Sequence, residues 1–311
     1  MAETKCTIGF LDFTGTFLRS KKRSFNPITV LAEKAREMGH VPRIYRVEKC
    51  QMFFDGDEAI LLEKNKPLKP CDVLIPRVDL LMRLEVELAI LEQFRFMGIP
   101  IINDYLPTLN AKNKLRTMQI LNDRQIAVPK TVIVRKFEYL DRAIEEVGGY
   151  PVVLKSVFGS YGVGVVIVES ARSLYSALDL ILERMDSNII MIQEFIADAN
   201  GSDYRALVIG DRVVASMERR AKTGEFRSNL ELGGDALPAK LNPEEQKIAI
   251  MSTRALGLQI SGVDILRTKK GPVVMEVNAN PGFKGLMETT RVDIPKAFIK
   301  FAVNFARVQP V

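Results

Sequence analysis

The sequence predicts a mixed α/β and α+β protein: an N-terminal open parallel α/β domain over residues 1–105, followed by segments built from hairpins and helices. Three observations predict it. Short apolar runs at 6–11, 42–47, 71–76 and 99–102 alternate with helix-length segments near 27–38 and 83–97, the pattern of strands laid side by side with helical crossovers. Beyond residue 105 the apolar runs come in pairs about tight turns: Gly210-Asp211 joins 204–209 to 213–217, and Lys269-Lys270-Gly271-Pro272 joins two β-branched runs. A length of 311 residues, 47% hydrophobic and 26% charged, gives an ordinary globular composition with enough chain for two or three domains and a large core.

The elements follow in order. A strand over 6–11 leads through a polar loop to a helix that opens at Asn26-Pro27 and closes at Gly39. The strand 42–47 precedes a small hairpin from Asp55-Gly56-Asp57 to Leu68, and 71–76 is a short core strand. The helix over 83–97 stops at Gly98, and Ile99-Pro100-Ile101-Ile102 makes a fourth strand. The first strand is not followed by Gly-x-Gly-x-x-Gly, so a dinucleotide site is not expected there. One helix is expected over 110–125, carrying Lys112, Lys114 and Arg116; then a strand 129–134, a helix 140–147 ended by Gly148-Gly149, and a strand 151–155. The glycine-rich segment 156–165 runs into a strand ending at Val168, then a helix near 172–185 and a strand 189–195. Residues 219–235 read as a long irregular stretch, a candidate active-site loop. A helix over 243–256 precedes the last hairpin, and a helix over 295–306 closes the chain.

Bulk properties exclude several classes. No apolar run reaches the about 18 residues of a membrane span, and the start, Met-Ala-Glu-Thr-Lys-Cys, does not read as a signal peptide, so a cytoplasmic location is expected. Cys6, Cys50 and Cys71 are too scattered for a zinc site or disulfide framework and are expected as reduced, half-buried hydrophobes. The single histidine, His40, follows a helix end, which leaves no histidine-based nucleophile pair in view. A net charge of +6 suits an anionic ligand such as a nucleotide, or an acidic polypeptide; no basic stripe interleaved with aromatics is present, so direct nucleic-acid binding is not expected.

Two stretches carry chemistry. In the last hairpin Glu276 and Asn278 alternate on one face, opposite Met275 and Val277. A turn near Lys269-Lys270 sets Asp264 across the ladder from Glu276. Facing carboxylates repel unless a positive charge lies between them, and no lysine or arginine is expected to share the Glu276/Asn278 face. The face is either simply hydrated or holds a divalent cation such as Mg²⁺, whose oxygen-ligand chemistry it suits. The second stretch is Lys155 followed by Gly159, Ser160, Gly162 and Gly164. Closely spaced glycines after a strand let backbone amides approach phosphate oxygens, with Lys155 at the strand end as a cation; the alternative is a mobile hairpin tip. Together with Lys114 and Arg227, these stretches can hold ATP: lysines on the phosphates, metal between the last two, arginine facing the departing charge. The strand around Gln193-Glu194-Phe195 can read an adenine edge through its backbone, and Asp203 can accept from a ribose hydroxyl.

A resemblance to a known family rests on Ala111–Gln119, Gln193-Glu-Phe-Ile196, Gly201-Ser-Asp-Tyr-Arg205, Glu218-Arg-Arg-Ala-Lys-Thr-Gly-Glu-Phe-Arg-Ser-Asn229, Gly262-Val-Asp-Ile-Leu-Arg267 and Met275-Glu-Val-Asn-Ala-Asn-Pro-Gly282. The chain resembles the ATP-grasp superfamily and, within it, the RimK-type α-L-glutamate ligases, most strongly over 110–295. The resemblance implies a two-lobed ATP-grasp domain holding ATP between antiparallel sheets, with lobes at 106–190 and 191–311 behind the 1–105 domain. It implies that Lys114 and Lys155 meet phosphate, that 156–165 is a phosphate lid, and that Glu194 and Phe195 form the adenine hinge. By the same likeness Asp203 is a nucleotide contact, Arg227 and Asn229 meet the γ-phosphate and acyl phosphate as catalytic groups, and Asp264, Glu276 and Asn278 hold two Mg²⁺ or Mn²⁺ ions. The implied substrates are ATP, L-glutamate and the acidic C-terminal tail of ribosomal protein S6, and the implied assembly is a homotetramer. Arg219, Arg220 or Lys222 is a candidate for the surface that receives the acidic tail, or belongs to a solvated loop. Three rivals stay open: the same chemistry on a small glutamate-tailed cofactor or with another amino acid, a nucleotide-binding module without turnover, and a glutathione-synthetase-like peptide ligase.

Overall fold

The computed structural model describes residues 5–13, 25–54, 56, 60–77, 84–155, 157, 165–182, 189–222 and 233–308. The chain begins with a parallel sheet. Strand β1 (Thr7–Asp12) lies between β2 (Val41–Arg46) and a later strand, and helix α1 (Pro27–Glu37) crosses from β1 to β2. Asn26 caps α1, its side chain accepting from the backbone N–H of Ile28 (2.9 Å) and Thr29 (3.1 Å), and Pro27 occupies the first turn where no N–H is needed. Ile28, Leu31, Ala32 and Ala35 recur at helical spacing and are the buried stripe.

The expected small hairpin is a three-stranded antiparallel sheet, β3 (Cys50–Phe53), β4 (Ile60–Glu63) and β5 (Lys66–Pro67). Strand β6 (Val73–Arg77) completes the parallel sheet in the order β2-β1-β6, and α2 (Leu84–Phe96) follows. The fourth strand expected over 99–102 is one parallel bridge, Leu74 to Ile101. Pro100 gives its carbonyl to Leu74 N (2.8 Å) but has no N–H with which to continue the ladder. Both faces of β1 are covered, Ile8 and Phe10 on the side of α1, Leu11 with Tyr45 and Leu74 on the side of α2. Gly9 lies between them because a Cβ there would sit 2.6 Å from Cys71 Sγ and 2.8 Å from the Tyr45 ring.

The helix expected over 110–125 is two helices, α3 (Tyr105–Lys112) and α4 (Lys114–Asp123). Asn113 is extended (φ −100°, ψ 105°), ends the first helix and caps the second by accepting from Arg116 N at 3.1 Å, a competition for backbone that asparagine wins readily. A four-stranded antiparallel sheet follows, ordered β7-β10-β8-β9, from β7 (Thr131–Val134), β8 (Val152–Lys155), β9 (Val165–Val168) and β10 (Ile190–Glu194), with α5 (Leu140–Glu146) and α6 (Ala171–Leu182) packed on one side.

A five-stranded antiparallel sheet completes the chain. It contains β11 (Ser202–Ile209), β12 (Arg212–Arg220), β13 (Asp235–Pro238), β14 (Ile260–Thr268) and β15 (Gly271–Asn278) in the order β13-β12-β11-β14-β15. The stretch expected as irregular over 219–235 is thus strand at both ends, in β12 and β13; 223–232 lie outside the described residues. Helix α7 (Pro243–Ala255) covers one face of this sheet, entered through a capping box in which Asn242 and Glu245 each bond the other's backbone N–H at 2.9 Å. Helices α8 (Lys284–Thr290) and α9 (Ile294–Val308) turn back across the other face, and α9 also packs on α1 and β6. One core, holding Ile8, Phe10 and Ile75 with Leu207, Met217, Ile260, Phe283 and Phe298, therefore joins the parallel sheet to the five-stranded one. Among the described residues no helix is long and apolar enough to cross a membrane.

Candidate functional site

The face of the five-stranded sheet that carries the apolar core at one end carries charge at the other. Cross-strand partners share a face, and the register pairs Arg219 with Asp203, Arg205 with Asp264, and Asp264 with Glu276. Asp203 and Arg205 are two residues apart on β11, so the whole set lines one face. The predicted pair Asp264–Glu276 is the pair found, but it is reached through a bulge. A two-residue turn at Lys269-Lys270 pairs Thr268 with Gly271 and Ile265 with Val274; an irregularity at Asp264/Ile265 then skips Met275 and sets Glu276 opposite Asp264.

Charge compensation comes from β11 and β12, not from β15 itself, which corrects the expectation of a face without cations. Arg205 donates Nε and Nη2 to the two Asp264 oxygens at 2.7 and 2.6 Å, and Arg219 Nη2 lies 2.9 Å from the second. Arg219 also donates Nε (2.7 Å) and Nη2 to Asp203. Burial alone would push the Asp264 carboxyl up; Arg205 and Arg219 overcome it and hold the group below the usual carboxylate range. Arg219 is 3% exposed, so it belongs to this cluster and not to an acceptor-facing surface. Asp203, read as a nucleotide contact, is 1% exposed with both oxygens on Arg219.

The four-stranded sheet supplies the other side. Lys114, Met118, Lys155, Met191, Gln193, Met275 and Glu276 line a cavity of about 20 Å³, which brings Lys114 and Lys155 to Glu276 as the sequence led one to expect. Lys155 Nζ donates to Gln193 Oε1 at 2.6 Å, and Gln193 Nε2 donates to Thr131 Oγ1 at 2.9 Å. Burial lowers the Lys155 ammonium to about 8, helped by Lys114 and opposed by Glu276 and Asp264. Lys114 opens α4, whose backbone N–H donates to Val157 O at 3.2 Å, so that helix start is tied to the segment following β8. Glu194 ends β10 with its carboxylate accepting from Lys130 N at 3.2 Å, and half-buried Phe195 follows. Gly159, Ser160, Gly162, Gly164, Arg227 and Asn229 lie outside the described residues.

Two carboxylates and an amide are a hard-oxygen donor set, suited to a Mg²⁺-type ion. Glu276 fits it directly, half-buried beside the cavity; Asn278 would have to offer its amide oxygen, while its Nδ2 is a buried donor with no hydrogen-bond partner among the described residues and suits an anion rather than the ion itself. Both Asp264 oxygens already accept from a guanidinium, so a cation there competes with Arg205 and Arg219 for them. Three supports of the site were not assigned this part from the chain. Arg205 and Arg219 carry the charge balance. Asn103 spends its whole amide on the ribbon, donating to Ile260 O (2.7 Å) and Ala279 O (2.8 Å) while accepting from Gln259 N (2.7 Å) and Ile260 N (3.0 Å). A signal existed for Arg205 alone, two residues after Asp203 on an alternating strand.

Comparison with known proteins agrees with this architecture. The model of the RimK-like ATP-grasp domain matches residues 111–302, and that of the RimK PreATP-grasp domain matches 18–105. A probable alpha-L-glutamate ligase 1 of Shewanella denitrificans is 40% identical over 271 residues, covering 87% of this chain and 91% of that protein. A probable alpha-L-glutamate ligase of Maridesulfovibrio salexigens is 36% identical over 282 residues, 91% and 93% of the two chains. The structure of the ATP-grasp ligase PsnB with its minimal precursor aligns at TM-score 0.74 and 17% identity, covering 97% of this chain and 99% of that one. The VanG D-Ala:D-Ser ligase of Enterococcus faecalis aligns at TM-score 0.69 and 19% identity, with the same coverage, and at such identities the likeness speaks to fold. An N-terminal α/β domain set against an ATP-grasp domain is the frame these matches share. The chain belongs to the RimK-like ATP-grasp family and is an ATP-dependent ligase.

Proposed function

We propose that this ligase adds L-glutamate to a C-terminal carboxylate, that of the acidic tail of ribosomal protein S6, through an acyl phosphate. The names of the relatives support glutamate as the amine. The observation that carries the chemistry is the convergence of Lys155 and Lys114 on Glu276, one residue of a ribbon that also presents Asp264 and Asn278. Cations from β8 and the start of α4, and hard-oxygen ligands from the five-stranded sheet, suit a nucleotide whose terminal phosphate lies between them.

In this reading the units are 1–105, 106–190 and 191–311, with the nucleotide between the last two. Glu194 and Phe195 border the adenine, Lys114 and Lys155 bind and orient the phosphates, and Gly159, Ser160, Gly162 and Gly164 close over them. Asp264, Glu276 and Asn278 hold one or two Mg²⁺ or Mn²⁺ ions, which when bound neutralise charge on the transferring phosphoryl group. Arg227 and Asn229 meet the γ-phosphate and the acyl phosphate. The acceptor carboxylate attacks the γ-phosphorus and ADP leaves; the glutamate amine then attacks the activated carbonyl, phosphate leaves, and the amine's proton passes to solvent. No side-chain nucleophile is needed, in keeping with three cysteines that are free and, at Cys6 and Cys71, buried with their thiols pushed up to about 11.

The test is intact-mass measurement of purified S6 after incubation with the enzyme, ATP, Mg²⁺ and isotopically labelled L-glutamate. Addition of labelled glutamyl residues at the C-terminus, dependent on ATP, is the expected result. An unmodified protein under conditions where a small glutamate-tailed acceptor is extended would overturn the S6 assignment.

A further inference from the structure

Asp264 is wanted by two parties. A divalent cation needs one of its oxygens, yet both are taken, by the full fork of Arg205 and by one nitrogen of Arg219. Arg219 is anchored besides to Asp203 and its side chain is 4% exposed; the Arg205 side chain is 15% exposed and among the described residues bonds only Asp264, so it is the less firmly held of the two. The set Asp203, Arg205, Arg219 and Asp264 sums to zero charge inside the protein. An ion that arrived alone would add two positive charges and strand a guanidinium without a partner, which is costly where water is scarce. An ion arriving with nucleotide phosphates brings its own compensation, because a phosphate oxygen pair suits the guanidinium fork as well as a carboxylate does.

We propose that Arg205 is a positioning residue that holds Asp264 while the site is empty of nucleotide and yields it to the divalent cation as phosphate arrives to take the guanidinium. Metal and nucleotide binding are thereby coupled through one exchange of partners, carboxylate for phosphate on the arginine and arginine for metal on the carboxylate. The inference rests on the assignment of Asp264 and Glu276 to the metal made above.

The test is Mn²⁺ titration of the full-length enzyme, with bound ion read by electron paramagnetic resonance, in the absence and presence of the non-hydrolysable analogue AMPPNP. Wild type should bind Mn²⁺ weakly alone and about tenfold or more tightly with AMPPNP, a coupling of ordinary allosteric size. Arg205→Met keeps the stem and removes the cation, leaving the cluster with an excess negative charge. Its nucleotide-free affinity for Mn²⁺ should rise about tenfold and the gain from AMPPNP should shrink in proportion. Arg205→Lys, which keeps charge without the fork, should fall between, and it carries the test if the methionine variant does not fold. Variants that bind Mn²⁺ no more tightly than wild type without nucleotide, with coupling unchanged, would overturn the exchange. Glu276→Gln separates the two claims: undiminished Mn²⁺ binding with AMPPNP in that variant would remove the metal assignment itself.

Discussion

Lys155 ends β8 with a charge that its surroundings make expensive. Burial lowers its ammonium to about 8 from the ordinary 10.5, and Gln193 Oε1 at 2.6 Å keeps the group aimed along the strand end. A cation stored at such cost is worth keeping only if an anion comes to meet it. Lys155→Ala should therefore weaken ATP binding by about 1.5–3 kcal/mol, the worth of a hydrogen bond to a charged group, as read by calorimetry; unchanged affinity would remove the phosphate role. The sign of the pH effect follows from the same shift. The folded-state pKa is below that of the unfolded chain, so burying the charged lysine costs its full amount below pH 8, and the cost is relieved as pH rises from about 8 toward 10.5. Nucleotide affinity should run the other way, falling above pH 8, with proton uptake on binding that shows as a dependence of the apparent enthalpy on buffer ionisation. The pairing of Asp264 with Glu276 was legible from the turn between them. Arg205 and Asp264 are 59 positions apart, and only the antiparallel pairing of β11 with β14 makes them partners.

At the scale of elements, the ribbon β14–β15 depends on small departures from ideal geometry. Straight counting from the Lys269-Lys270 turn would oppose Asp264 to Met275; the bulge restores Glu276 to the same face as Asp264 and Asn278. Gly262 lets the loop after β15 lie over the strand, since a Cβ there would stand 2.9 Å from Pro281 Cβ. Asn103 clamps the base of the ribbon with four hydrogen bonds from a fully buried amide. Asn103→Ala leaves two carbonyls and two N–H groups to find other partners, and should lower stability by about 1–3 kcal/mol in denaturant titrations. A change within a few tenths of a kcal/mol would show that the clamp is dispensable. Helix and strand positions were readable from periodicity and caps, as at Asn26-Pro27. The break at Asn113 was not, because its side chain serves a helix start within an apolar pattern that runs on unbroken, and neither was β13, four residues at the sheet edge that pair with β12.

The whole molecule is organised so that three sheets answer to one site. Helix α9, the last element, lies between the parallel sheet and the five-stranded sheet, and Phe298 sits in the core they share. Arg77, at the end of β6, donates to Pro281 O at 3.0 Å, so the carboxyl edge of the parallel sheet touches the loop that follows the ligand ribbon. The parallel α/β unit was legible from alternation of strand and helix; its closure by the C-terminal helix was not, because that contact joins residues more than 200 positions apart. The central claim is that an acceptor carboxylate takes the terminal phosphate of ATP before glutamate displaces it. It is tested most directly by reacting an acceptor whose C-terminal carboxylate carries heavy oxygen with ATP, Mg²⁺ and L-glutamate, and weighing the phosphate released. One heavy oxygen delivered to phosphate for each amide formed is the predicted result; amide formation with phosphate free of the label, or release of AMP in place of ADP, would contradict it.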